Sequence, residues 1–292
     1  MKRSLRPFLV TLCVTPLALL AAGCSSVAPT QQDVLVNAAR SLSGTKSVQL
    51  EGTVQVSVTQ RRRTEGWSAE LHGGISKPAV SLAGSVDTGR RTYPFALRVA
   101  ARTLYAQLHG TWYSAPLGEL KRESVAASGK QRSLFGKLRT LFAAEDIAAH
   151  AFRGTVTRGP ELDGAETWQW RGTVDPEGAL AMAAKYGGDD AKLTPEKRGE
   201  TLDVLEQLAH VCRITVVAGS DGKPRRIELE VEADRQQVAA LGRAAREARA
   251  VDVGAVHAKL RLDLTHWNEP VHAATPPGAR PLGQLLSGMF SG

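Results

Sequence analysis

The sequence predicts an α+β fold, a strongly curved antiparallel sheet of roughly ten strands with helices on its concave side. Three observations predict it. Val48, Leu50, Gly52, Val54, Val56 and Val58 alternate with polar residues from Gln49 to Thr59, a strict period of two that turns one face to apolar material and the other to water. Similar alternation returns through most of the chain, punctuated by short clusters of glycine and aspartate. Between these runs the apolar spacing switches to that of helices, twice behind a Thr-Pro or Asp-Pro start.

The chain begins with Lys2, Arg3 and Arg6, an apolar stretch from Phe8 to Leu20, and the sequence Ala21-Ala22-Gly23-Cys24. A basic start, a short apolar middle and small residues at the end describe an export signal. Thr15 and Pro16 interrupt the apolar stretch, which is too short for the ~20 residues of a permanent membrane helix. A cysteine directly after the small residues makes Cys24 the candidate lipidation site, with residues 1–23 removed as a lipoprotein signal. Cys13 follows the bulky Leu12 and does not compete. With each buried methylene worth about 0.8 kcal/mol, two or three acyl chains form a durable anchor. The expected location is outside the cell, held by lipid on the outer face of the cytoplasmic membrane.

The formal charge is +8, of which Lys2, Arg3 and Arg6 supply three, leaving +5 on the mature chain. That balance suits anionic headgroups or acidic polymers, and an exported protein is not expected to meet nucleic acid. Cys212 is left without an intramolecular partner once Cys24 is acylated, which excludes a disulfide framework. It sits in the strand-like Val211 to Val217, as a small buried hydrophobe does.

Residues 24–33 have the small, polar composition of a tether, and one domain is expected over 34–272, with a tail over 273–292. Val34, Leu35, Ala38 and Leu42 share a helical face, with Gly44 as the stop. After the run from Val48 come Trp67 to Leu71, Val80 to Val86, Tyr93 to Val99 and Leu104 to Leu108, a meander whose turns are expected at Gly73-Gly74, Asp87-Thr88-Gly89 and His109-Gly110. A helix over Ser133 to Ala144 presents Leu134, Phe135, Leu138, Leu141 and Phe142 on one face. Strands resume at Phe152 to Thr157 and Glu166 to Gly172. Asp175-Pro176 and Thr194-Pro195 each start a helix, with Leu180 and Met182 on the first and Leu202, Leu205 and Leu208 on the second. Val211 to Val217 and Arg226 to Val231 flank Asp221-Gly222, a strong hairpin signal. A helix over Gln236 to Ala248 precedes a last strand carrying Val256, Ala258, Leu260, Leu262 and Leu264. The proline-rich tail either docks or dangles.

Catalysis needs a nucleophile beside a base, or clustered metal ligands. The chain has no H-E-x-x-H, G-x-S-x-G, Walker loop or paired C-x-x-C, and its seven histidines are isolated in sequence. No enzyme, cofactor or metal site is expected. Asp189-Asp190 reads as a solvated turn. Arg61-Arg62-Arg63 reads as a solvated hairpin tip or a contact with headgroups. The apolar sheet face and helix faces meet in one of two ways, as an interlocked core or around a dry cavity, and the residues leave both open.

The order and spacing of several segments resemble the LppX/LprAFG family of actinobacterial cell-envelope lipoproteins. They are the lipobox at Cys24, Thr45-Lys46-Ser47-Val48 after the first helix, Leu104-Tyr105, Trp112-Tyr113, Leu162-Asp163-Gly164-Ala165-Glu166-Thr167 leading to Gly172-Thr173-Val174-Asp175, Asp221-Gly222-Lys223-Pro224, and Leu264 to Val271. The resemblance implies a half-barrel of the LolA/LolB type, whose apolar cavity takes the acyl chains of a lipid or glycolipid and carries them across the envelope, with a transporter as partner. The cavity residues expected here are Leu82, Phe95, Leu97, Leu104, Leu108, Leu260 and Leu262 on the sheet and Leu134, Leu138 and Phe142 on the helix over it. The rival reading is a structural or regulatory envelope lipoprotein with a solid core and a protein partner.

Overall fold

A computed structural model describes residues 28–60, 63–77, 79–118, 145–162, 164–186, 194–244 and 253–283. The first helix, α1 (Gln31–Gly44), starts at a capping box: the Thr30 hydroxyl accepts from the Asp33 N–H while the Asp33 carboxylate accepts from Thr30. The Thr30 hydroxyl also donates to the Asp33 carboxylate at 2.7 Å, and this bond first, with that from the Thr30 N–H, holds the carboxyl below its ordinary value. Val34, Leu35 and Ala38 form its buried stripe, as their spacing predicts.

Six strands follow in hairpin succession: β1 (Ser47–Gln60), β2 (Arg63–Ser76), β3 (Val80–Asp87), β4 (Thr92–Ala100), β5 (Thr103–Leu108) and β6 (Thr111–Pro116). After α2 (Glu145–His150) come β7 (Phe152–Arg158), β8 (Thr167–Val174), α3 (Pro176–Tyr186) and α4 (Pro195–Val211). The chain then runs through β9 (Cys212–Gly219), β10 (Pro224–Ala233), α5 (Arg235–Ala244), β11 (Val253–Thr265) and the short β12 (Arg280–Pro281). The twelve strands among the described residues join one sheet in the order β12-β6-β5-β4-β3-β2-β1-β11-β10-β9-β8-β7. Every pairing is antiparallel except that of β12 with β6. The edges β12 and β7 do not meet, so the α+β fold is an open half-barrel.

Glycines on the inner face let the sheet curl. A Cβ on Gly84 would press into the carbonyl oxygen of Glu70, and one on Gly73 into that of Ser81. The β2 and β3 backbones therefore approach where a side chain would hold them apart. This corrects the expectation of a turn at Gly73-Gly74: Gly73, at φ +144°, lies inside β2, and the chain reverses around Lys77 and Ala79. The Asp87-Thr88-Gly89, His109-Gly110 and Asp221-Gly222 turns stand where the sequence puts them.

Further corrections are small. The sheet has two strands beyond about ten, because Thr111–Pro116 pairs with β5 and residues 280–281 pair with β6. Val211 ends α4 instead of starting the next strand. The described part of the tail docks: an Arg98 guanidinium N–H donates to the Ala274 carbonyl at 3.2 Å, and Arg280 and Pro281 pair with Tyr113 and Ser114 of β6. The helix expected over Ser133 to Ala144 and the Asp189-Asp190 turn lie outside the described residues.

Candidate functional site

Strand register carries one apolar face across the sheet. Because each pairing aligns inner residue with inner residue, Leu108, Phe95, Gly84, Leu71, Gly52, Leu262, Ile227, Val216, Trp170 and Val156 stand side by side from β5 to β7. Neighbouring rows add Leu97 beside Leu82, Leu104 beside Val99, and Val54 beside Leu260. All seven sheet residues proposed from the sequence thus share this face. Leu134, Leu138, Phe142 and Cys24 lie outside the described residues.

The face is treated differently at its two ends. Over β7 to β9, α1 sets Val34, Leu35 and Ala38 on Trp170, Val216 and Ala218, with Ala148 of α2 and Phe152 completing the cluster. Phe152 meets Trp170 edge to face at 6.1 Å, and Trp170 is fully buried. Nearer the middle, Leu42 and Trp267 close on Val48, Leu50, Leu71, Leu82 and Leu264. Leu262 and Leu71 fold over Gly52, where an added Cβ would lie 2.7 Å from Leu262 Cδ2.

Beyond that cluster, no described helix covers the face, and large apolar side chains are partly exposed. Trp67 is 43% exposed, Ile75 39%, Leu108 38% and Tyr93 37%, and the strand register puts all four on the inner face. Phe95, Leu97 and Leu104 between them are half-buried. Trp67, Ile75 and Tyr93 were not among the residues proposed from sequence. The parity of the strand alternation was the signal that could have found them, because an aromatic at an inward position belongs to the same face.

The outer face carries charge. Asp263 accepts from Nε of Arg226 and from Nε of Arg261, each at 2.7 Å. Burial pushes its carboxyl up, but these hydrogen bonds and the two positive charges outweigh it and hold the group below its ordinary value. Two clefts among the described residues lie on this side. One, of about 440 Å³, involves Ser57, Arg213, Glu230, Glu232 and His257; the other, of about 350 Å³, involves Arg171, Thr215, Glu228 and Lys259. Donor atoms of Glu230, Glu232 and His257 lie within 4.8 Å of one another. Glu230 stands between Arg213 and Lys259 in the strand register, and His257 Nδ1 lies 3.6 Å from a carboxylate oxygen of Glu232. Cys212 is buried, and burial pushes its thiol up, the opposite of what a reactive thiolate needs. No described helix is long and apolar enough to cross a membrane.

The described elements therefore define an open half-barrel of the α+β class, apolar within and charged without. Its outline is similar to that of lipoprotein LppX of Mycobacterium tuberculosis, with 13% identity, coverage of 84% of this chain and 98% of that one, and a TM-score of 0.37. It is similar also to LprF from Mycobacterium bovis, with 13% identity, coverage of 86% and 100%, and a TM-score of 0.40. For a LolA superfamily protein from Nitrosomonas europaea the values are 9% identity, 85% and 96% coverage, and a TM-score of 0.23. No family profile matches the chain, and no curated protein does either.

Proposed function

We propose that this protein is an envelope lipoprotein that binds the acyl chains of a lipid or glycolipid on the open part of its inner face and carries them across the envelope. It does so without catalysis, anchored through Cys24 to the outer face of the cytoplasmic membrane, and hands its cargo on through a transporter partner. The observation that carries the reading is the exposure of Trp67, Tyr93, Leu108 and Ile75 on a face that α1 closes elsewhere. Large apolar side chains gathered on one concave face mark a binding surface. Acyl methylenes gain about 0.8 kcal/mol each on leaving water, so even a partly seated chain repays the ordering it needs. Selectivity for chain length is weak in such a site, because one methylene changes affinity little.

Native mass spectrometry of the protein purified from its own host tests the cargo. Bound acyl lipid is expected in the wild type, and replacing Leu97 with Trp should lower its amount. Protein that never retains lipid would favour the rival, a structural lipoprotein binding a protein partner. The anchor has a separate readout. The tryptic peptide from residue 24 to Arg40 should carry acyl chains, and an unmodified cysteine there would remove the anchor from the account.

A further inference from the structure

We infer that one rim of the half-barrel, the rim at which α1 begins, is a docking surface for an anionic phospholipid bilayer. Antiparallel hairpins alternate between the two rims. The β1–β2, β3–β4 and β5–β6 turns share one rim, since Gln60 pairs with Arg63, Asp87 with Thr92 and Leu108 with Thr111. The start of β7 lies at the same rim, because Phe152 pairs with Val174 at the end of β8, which lies beside the start of β9, the end of β10, the start of β11 and the end of β1 in turn. Gln31 is pinned there: its side-chain amide donates to the Phe152 carbonyl at 2.6 Å and accepts from the Gly154 N–H at 2.9 Å.

Charge alone does not select this rim. It carries exposed Arg63, Arg90 and Arg91, but the opposite rim carries exposed Lys46, Lys77 and Arg102. Two other observations separate them. First, three of the four most exposed large apolar residues, Trp67, Tyr93 and Leu108, lie toward the arginine rim, with Tyr93 stacked edge to face on His109 of the β5–β6 turn at 5.8 Å. Arginines for phosphates beside Trp and Tyr for the headgroup layer are the pairing an interfacial surface uses. Second, the tether is short. The inference rests here on the proposed anchor at Cys24: the seven residues from there to Gln31 span at most ~25 Å. β1 and β2 are each 14 residues long, or about 45 Å at strand rise. An upright domain can set only its near rim on the membrane.

Arg63, Arg90 and Arg91 are in or beside turns, and no ion-pair partner holds their side chains among the described residues. They are free to meet phosphates. Asp87 is occupied within its own turn, accepting from the Gly89 N–H at 2.7 Å. The arrangement sets the open apolar face at the bilayer surface, where a lipid enters without crossing water.

The test uses the acyl-free chain beginning at residue 25, which keeps every described element. Its co-sedimentation is measured with vesicles of phosphatidylcholine alone and with vesicles also containing phosphatidylglycerol. The expected result is binding to the anionic vesicles that weakens with salt. Reversal of Arg63, Arg90 and Arg91 to Glu should weaken it by about tenfold or more, while reversal of Lys46, Lys77 and Arg102 should leave it within about twofold. A pair Trp67→Ala with Tyr93→Ala should lower the binding that persists at high salt. Equal loss from both reversals, or no loss from the first, would overturn the inference, as would equal binding to neutral vesicles. Because the chain carries no acyl group and cargo is read separately by lipid extraction, failure here is distinguishable from failure of the anchor or of the carrier reading.

Discussion

The two ends of the sheet are built from the same alternating strands yet end in opposite states. Over β7 to β9 the inner face meets α1, and Trp170 is fully buried against Val216 and the helix stripe. Over β2 to β5 the same face leaves Trp67 and Tyr93 more than a third exposed. Strand amphipathicity therefore determines which way side chains point, and a separate element decides whether that face becomes a core. The glycines sharpen the contrast. On β7 and β8, Gly154 pairs with Gly172 and lets those strands wrap toward α1, whereas Gly73 and Gly84 bend the sheet where it stays open.

Trp170→Ala should break the closed end, destabilising the fold by about 3–5 kcal/mol in a denaturant melt. A cost near zero would mean that α1 is not seated there. Gly84→Val should cost about 2 kcal/mol or more, since its Cβ meets Glu70 backbone and not a movable side chain. Circular dichroism melts check it, and an unchanged midpoint would remove the glycine from the account of curvature.

Asp263 offers a pH test on the outer face. Its carboxyl is held below the unfolded value of about 3.9, so folding favours the ionised form. The stability it adds is complete above that value and is lost as the pH falls through the lower, folded one. Asp263→Asn should cost about 1–2 kcal/mol at pH 7. The difference between wild type and variant should shrink below about pH 4, and a difference that stays constant down to pH 2 would count against the Arg226 and Arg261 pairing. The smallest effect belongs to the open end. Leu108→Trp should change stability by less than about 1 kcal/mol because the residue is only partly covered, where a packed core would lose about 1–3.

The strands from Val48 to Leu108 were legible because period two survives in a sequence whose one face is buried or apolar, and the α1 stripe was legible for the same reason at helical spacing. The Asp221-Gly222 hairpin announced itself through residues that tolerate positive φ. Its counterpart between β4 and β5 did not: Ala101 and Arg102 adopt φ +48° and +63° without a turn residue between them, held there by the pairing of Ala100 with Thr103. Gly73-Gly74 misled in the other direction, since a glycine pair marks close backbone approach as readily as a turn.

Alternation by itself determined the identity of the inner face, because the side chain at every second position must point the same way once a strand forms. That Leu97, Leu108 and Leu260 belong to one face followed from their parity. Whether that face is filled was decided only in three dimensions. The helix that closes it over β7 to β9 precedes the first strand by sequence and reaches β7, 121 residues away, through Gln31 and Phe152. Period two records orientation relative to a strand's own axis and carries no information about which distant element will cover it.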